Sequence, residues 1–322
     1  MSLVEQISCD TADEFVQRLL SLQQESDGLP FWERGRWVYR GQANAEWPLV
    51  PRALRKTAVL WMEDYPRVRT RWSWGAQPTQ AEQLRAQANT IRVFAEQCDE
   101  QGLELPEDSL GLRETLRGAC NSNFHEAMQA INCRWPPDEL LSLVGLAQHH
   151  GVSTRLLDWT SNPLCAAYFA AEEAAPWIQN PLPQPVSHVG VWALAKDVLA
   201  RDFPGEEIHV ALAMSPGAQN PNLRAQSGVF TVVRGLFYED GTPPINQGEA
   251  LPDTCPLETR LKEIVATVKP KEPIMLRLRL PVRETGKLLR LLHMQRITAA
   301  TLFPGFDGVA RALKAEQWWM FS

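Results

Sequence analysis

The polar side chains best suited to chemistry stand at the ends of short apolar segments. Arg40 follows the alternating stretch "RWVY" and precedes Gly41, a pattern that predicts a short strand ending on a permanently charged group. A guanidinium group presents a fork of donors that suits phosphate or ribose oxygens. We therefore expect Tyr39, Arg40 and Gly41 to form part of a site for an anionic or sugar group.

A second polar cluster, "LAQHHGVSTRLLDWTSNP", lies directly before an alanine-rich segment, and we predict a polar loop for the part that holds His149. Thr160 and Ser161 stand at a predicted strand-to-helix junction, where free backbone N–H groups also favour an anion. Gln148 and His149 could bind ribose or transfer a proton, and a half-buried structural role fits each equally well. Trp159 could stack on a ring, although tryptophan serves more often in the core.

For two further pairs of residues, the sequence predicts a position in the same region. Arg155 and Asp158 are predicted to form an ion pair that braces the junction, and loss of one partner of a buried pair costs about 3–5 kcal/mol. Arg224 and Gln226 immediately precede "GVFTVV", which predicts another strand. Both could therefore line the same cleft as Arg40.

Common catalytic and metal motifs are absent from the sequence. It contains no G-x-G-x-x-G, G-x-x-x-x-G-K-[ST], G-x-S-x-G or H-E-x-x-H pattern, and its six cysteines are scattered without a C-x-x-C pair. Because His149 and His150 are adjacent, they point in different directions on a regular element. We expect no metal site.

Composition favours a globular protein without a membrane span. The formal net charge of -6 argues against a surface wholly dedicated to nucleic acid, although a local basic groove can coexist with it. No window approaches eighteen consecutive apolar residues, and the N-terminus lacks a signal-like pattern, so we expect a cytoplasmic protein. The stretch "RVRTRWSW" at 67–74 could bind a single strand, but an exposed loop is the more frequent explanation.

The periodicity of the chain predicts an α+β fold without repeats. We interpret residues 1–322 as a single domain in which 57–140 form a mainly helical insertion. The predicted elements outside the insertion are a helix at 10–24, a helix at 163–175 capped by Asn162, strands at 186–194, 228–233 and 274–280, and a helix after Pro281. The stretch "ITAATLFPGFDGVARAL" predicts a short strand, a turn and a last helix.

Four motifs together resemble the FRG domain, named for its Phe/Tyr-Arg-Gly motif. They are "VYRGQANAEWPLVPRALR", "LAQHHGVSTRLLDWTSNPLCAAYFAAE", "RAQSGVFTVV" and "ITAATLFPGFDGVARAL". The resemblance extends from about Trp37 to Leu313, and its second motif is long enough to be specific. A helical segment between the first two motifs is usual in such proteins.

The FRG pattern is in turn distantly similar to the ADP-ribosyltransferase superfamily. This similarity implies a split mixed or antiparallel sheet, NAD as substrate, and three ordered site elements. Arg40-Gly41, Thr160-Ser161 and Gln226 match these elements. The resemblance implies that Arg40 binds a phosphate or ribose, that Thr160 supports the pocket, and that Tyr39 or Trp159 stacks a ring.

In the ADP-ribosyltransferase superfamily, the third element normally supplies a glutamate that stabilises the positive charge developing on the ribose. Gln226 can bind the ribose but carries no charge, so Asp158, Glu239 or His149 would have to supply it. The leading hypothesis is an ADP-ribosyltransferase or NAD glycohydrolase acting on nucleic acid or protein, in the manner of a bacterial toxin or anti-phage effector. The alternatives are a non-catalytic nucleotide- or nucleic-acid-binding module and, last, a nuclease or other hydrolase using His149 and Asp158.

Overall fold

The computed structural model describes residues 3–24, 36–55, 80–121, 126, 134–180, 182–183, 185–199, 210–213, 225–236, 253–268, 270 and 272–319. Seven strands form one mixed sheet, in the spatial order β1 (Val4–Ser8), β9 (Met275–Pro281), β5 (His188–Ala195), β2 (Trp37–Gln42), β4 (Leu156–Thr160), β7 (Gly228–Val233) and β6 (Val210–Ala213). Only β1 and β9 pair in parallel. The strands β3 (Arg134–Trp135) and β8 (Gly235–Leu236) form a separate pair.

Helices cover both faces of this sheet, which confirms the predicted α+β class. They are α1 (Ala12–Gln24), α2 (Gln80–Glu100), α3 (Leu110–Ala119), α4 (Leu141–His149), α5 (Pro163–Ala174), α6 (Pro176–Gln179), α7 (Lys196–Leu199), α8 (Leu257–Val268), α9 (Thr285–Met294), α10 (Ala299–Leu302) and α11 (Phe306–Glu316). None of the helices that the structure describes is long and apolar enough to cross a membrane.

Helix α5 lies against the centre of the sheet because its start and its contact face are encoded locally. The Asn162 side chain accepts a hydrogen bond from the Leu164 N–H, and Pro163 occupies the first turn, where its missing N–H costs nothing. A Cβ on Gly41 would stand 1.9 Å from the carbonyl oxygen of Ala166. Glycine on β2 and alanine on α5 therefore permit a backbone approach that a larger residue would block.

The second face of the sheet carries the helical insertion. Helices α2 and α3 lie within the predicted 57–140 segment, whereas 56–79, including "RVRTRWSW", fall outside the described residues. A separate apolar cluster packs these helices and α4 onto β4 and β7 through Leu156, Phe230 and Val232. Within the segment predicted as an insertion, the structure describes two helices, Gln80–Glu100 and Leu110–Ala119.

Three local predictions are wrong. Arg155 does not pair with Asp158: it is buried and makes its ion pair with Asp253, at 2.9 Å. The segment holding His149 is the end of helix α4 rather than a loop, because Leu141–His149 carries a nearly continuous apolar run that packs as a helix. The expected strand in "ITAATL" is the short helix α10, whose start is stabilised by a capping box formed by Thr298 and Thr301.

Candidate functional site

Arg40 occupies the centre of the sheet, between β5 and β4. Strand alternation places Tyr39 and Gly41 on the face that meets α5 and directs Arg40 to the opposite face. Its Nη1 donates to the backbone carbonyl of Asp158 at 2.7 Å and lies 3.7 Å from the Asp158 carboxylate. The Arg40 side chain is only 17% exposed, and its buried Nε has no hydrogen-bond partner among the described residues.

This environment lowers the pKa of the Arg40 guanidinium, because burial disfavours its charged form and the Asp158 carboxylate only partly opposes that effect. The side chain nevertheless keeps its charge at neutral pH, since arginine starts from a very high pKa. The part of this mostly buried cation that remains exposed is suited to an oxyanion or a sugar hydroxyl.

Asp158 is held in place by a short chain of hydrogen bonds from helix α4. Gln148 donates from Nε2 to the Asp158 carboxylate at 2.7 Å, and its amide oxygen accepts from the Thr154 hydroxyl. The Asp158 side chain is still 65% exposed. The carboxylate is therefore oriented by the protein on one side and open to a ligand on the other.

His149 and His150 lie at the exposed end of α4, with their rings edge to face and centroids 5.2 Å apart. Partial burial lowers the pKa of His149, the neighbouring His150 lowers it further, and Asp158 opposes both effects. The His149 imidazole is therefore neutral at pH 7 and able to take up a proton. Among the residues described, no group of three or more potential ligands could hold a metal ion.

Two further arginines accompany Arg40, and our sequence reasoning did not select them. Arg52 begins a 3-10 turn, Arg52–Leu54, and Arg55 follows it; this turn runs beside the segment before β4. The Ala53 N–H donates to the Thr154 carbonyl at 3.0 Å, and Arg52 donates to the Gly151 carbonyl at 3.3 Å. Arg55 is near enough to lower the pKa of Arg40. Both arginines belong to "VPRALR" in the first motif, and their place in that motif is the signal by which the sequence could have indicated them.

Thr160 and Gln226 form a second group that joins the end of β4 to the start of β7. The buried Thr160 hydroxyl donates to the Gln226 carbonyl at 2.6 Å and accepts from the Asn162 N–H at 3.0 Å. The Gln226 side chain donates to the carbonyl of Leu302 at 3.1 Å. Ser161 is exposed beside them, and its N–H donates to the Ser227 carbonyl. These contacts fix the strand ends and direct the Gln226 amide towards α10.

Arg40 with Asp158 and Thr160 with Gln226 form two groups on or beside adjacent strands. Among the described residues, no side-chain hydrogen bond joins one group to the other. Thr160 pairs with Tyr39 on one side and with Gly228 on the other, so β2, β4 and β7 are consecutive neighbours. Tyr39 and Trp159 are 2% and 3% exposed, and the Trp159 indole donates to the Thr231 hydroxyl at 2.9 Å. Neither ring offers a free face to a ligand in this structure.

Comparison with known proteins gives a match to one family model. Residues 35–177 match the family model of the FRG domain. The matched range contains Arg40, Asp158, Gln148 and His149, which we call the Arg40 cluster. Gln226 lies beyond this range. No curated protein and no solved structure matches the chain.

Proposed function

We propose that this chain, whose residues 35–177 match the family model of the FRG domain, is an NAD-using enzyme of ADP-ribosyltransferase type. One observation carries the proposal. Arg40 on β2, Thr160 at the end of β4 and Gln226, two residues before β7, lie on or beside strands that are consecutive and antiparallel in the sheet. Arg40 and Gln226 are 186 positions apart along the chain. The fold nevertheless places Arg40, Thr160 and Gln226 on or beside neighbouring strands.

The residues around Arg40 suit the pyrophosphate of a dinucleotide. Arg40 offers a guanidinium that is 17% exposed, and the exposed Arg55 is near enough to lower its pKa; the exposed Arg52 stands three residues before Arg55. Paired phosphates are bound well by several arginines, because each presents parallel donors to two oxygens. We assign Arg40 to a phosphate or to the ribose next to nicotinamide, and Arg52 and Arg55 to the outer part of the same ligand.

The reaction breaks the bond between the ribose C1′ and the nicotinamide nitrogen. Nicotinamide leaves with the electron pair of that bond, and positive charge develops on the ribose, as in glycoside hydrolysis. Asp158 is the carboxylate in the Arg40 cluster, oriented by Gln148 and open to solvent, so we assign to it the stabilisation of this charge. Gln226 cannot serve in that role because its amide is neutral and bound to Leu302.

The acceptor then adds through an oxygen or nitrogen to C1′ and loses a proton. The neutral imidazole of His149, at the end of α4 beside Asp158, is our candidate to take up that proton. Water as acceptor gives free ADP-ribose, and a nucleic acid or protein acceptor gives a modified macromolecule. Either outcome is compatible with a role as a toxin or anti-phage effector, which the family resemblance implies.

A second candidate function is a module that binds a nucleotide or nucleic acid through the same cleft without turnover. The Gln226 side chain favours it, because the third element lacks a carboxylate and its amide is occupied by the Leu302 carbonyl. This alternative shares the Arg40 cluster with the enzyme and differs in the role of Asp158, which would position Arg40 without stabilising a cation.

Labelled NAD separates the two functions. Purified protein is incubated with NAD labelled in the adenylate part, alone and with cell extract, DNA or RNA, and nicotinamide release and label transfer are measured beside calorimetric NAD binding. We expect Arg40→Ala to abolish binding and turnover, and Asp158→Asn to retain binding while turnover falls by about 100-fold. The control is Arg113→Ala, which removes an exposed arginine of the insertion that pairs with Asp99 and Asp108.

Each outcome decides between the candidates. Turnover that survives in Asp158→Asn would remove that carboxylate from the mechanism. NAD binding without nicotinamide release, lost in Arg40→Ala, would support the binding module. Absence of binding, release and transfer in the folded wild-type protein would refute both functions for NAD, and circular dichroism of every variant excludes unfolding as the cause.

A further inference from the structure

Thr154 is a buried residue, two positions before β4, that contacts three parts of the candidate site. Only 4% of its surface is exposed. Its hydroxyl donates to the Gln148 amide oxygen and accepts from the Leu156 N–H at 3.1 Å, and its carbonyl accepts from the Ala53 N–H. Thr154 therefore connects helix α4, strand β4 and the 3-10 turn that begins at Arg52.

The contacts of the Thr154 hydroxyl determine which way the Gln148 amide faces. A hydroxyl has one proton, and the Gln148 oxygen accepts it while the Leu156 N–H occupies a lone pair. The opposite orientation of the amide would leave that proton without an acceptor. It would also turn the amide oxygen towards the Asp158 carboxylate, which in its ionised form can only accept. The Gln148 Nε2 is therefore directed at Asp158, to which it donates at 2.7 Å.

The hydrogen bond from Gln148 also keeps the Asp158 carboxylate apart from Arg40. Gln148 binds the oxygen Oδ1, and Oδ2 stays 3.7 Å from Arg40 Nη1, which is too far for a hydrogen bond. Arg40 Nη1 donates instead to the backbone carbonyl of Asp158 at 2.7 Å. Both charged groups thereby keep the donors and acceptors that a bidentate pair between them would use.

We infer that Thr154 is a positioning residue that acts through Gln148 and holds the Asp158 carboxylate open to a ligand beside Arg40. Without the hydroxyl, the Gln148 amide oxygen would lose its donor, and a side-chain conformation that reaches water would become favourable. Asp158 would then be able to close onto Arg40, and each charge would neutralise the other. The effect on turnover rests on the proposed function, whereas the orientation of the amide can be measured without NAD.

A matched pair of variants tests the effect on turnover, because valine keeps the shape of Thr154 and serine keeps its hydroxyl. We expect Thr154→Val to lower NAD turnover by about threefold to tenfold, the usual value of one hydrogen bond, and Thr154→Ser to stay within about twofold of wild type. In the Asp158→Asn background, Thr154→Val should lower turnover no further, because Thr154 acts through Asp158. The control is Thr90→Val, which removes another buried hydroxyl, bound to the Ala86 carbonyl of α2 at 2.8 Å.

Nitrogen-15 NMR of the Gln148 side-chain amide tests the positioning itself, in protein without NAD. The resonance is identified by its loss in Gln148→Glu. We expect it to keep its position in Thr154→Ser and Thr90→Val, and to move to the position of exposed glutamines in Thr154→Val. Thr154→Ala takes the place of Thr154→Val if the valine variant does not fold.

Two results would overturn the inference. One is an amide resonance that is unchanged in Thr154→Val. The other is a Thr154→Val loss of turnover that is equally large in wild type and in Asp158→Asn, which is the result of a general structural role. A folded wild-type protein without any turnover would refute the proposed function instead, and the amide resonance alone would then decide the role of Thr154.

Discussion

The buried ion pair between Arg155 and Asp253 yields the sharpest stability prediction. Arg155 is 2% exposed, and its Nη1 lies 2.9 Å from an Asp253 carboxylate oxygen, while its Nε donates to Gln87 of α2 at 2.7 Å. Arg260 of α8 contacts the other carboxylate oxygen at 2.5 Å. The pair therefore joins β4, the helical insertion and the segment before α8 in one buried network.

Asp253→Asn keeps the shape of the side chain and removes its charge. Arg155 would then remain buried without a compensating anion, and breaking a buried pair in this way costs about 3–5 kcal/mol. Burial by itself raises the pKa of Asp253, but Arg155 and Arg260 outweigh it, and the net effect is a lowered pKa. The stabilisation is consequently complete above the unfolded carboxyl pKa of about 4 and is lost as the pH falls through the lower folded value.

Urea unfolding followed by circular dichroism, at pH 7 and at a series of lower pH values, measures both effects. We expect the difference in the free energy of unfolding between wild type and Asp253→Asn to be largest at pH 7 and to become smaller in acid. The double variant Arg155→Met, Asp253→Leu should recover much of the loss, because it removes the fully buried Arg155 charge and leaves only the partly exposed Arg260 without its carboxylate. The control is Glu96→Gln, whose carboxylate is 53% exposed and pairs with Arg92, which is itself 31% exposed. An Asp253→Asn loss no larger than that of the control would refute the reasoning.

Two further predictions concern packing and thiol reactivity. Gly41→Ala should destabilise the protein severely, because the new Cβ would meet the Ala166 carbonyl at 1.9 Å. Gly111→Ala, whose Cβ would make an ordinary contact with the Ser109 hydroxyl at 3.9 Å, should leave the thermal midpoint unchanged or slightly higher. Burial raises the pKa of Cys9 and of Cys165 to about 11, so both thiols should resist iodoacetamide at pH 8 in the native protein and react once urea unfolds it. Mass spectrometry locates the label, and rapid native labelling of either thiol would contradict the burial.

Local sequence signals were sufficient for the elements whose hydrophobic period and ends agree. Strand β7 has its predicted bounds. Both ends of β5, β9 and α5 lie within two residues of their predicted positions. Helix α10 was missed because its signal is a capping box of four residues, shorter than any periodic pattern. Helix α4 was missed because a nearly uniform apolar segment shows no helical stripe.

The sequence by itself determined the FRG resemblance, the α+β class and the choice of Arg40 as the first residue to test. Only the tertiary structure decided which charges meet. Arg155 and Asp253 are 98 residues apart, and Arg40 and Asp158 are 118 apart. Residues so distant become neighbours through strand order and helix packing, which no spacing along the chain encodes. The same reason explains why Asp158, predicted to brace Arg155, is instead the open carboxylate beside Arg40.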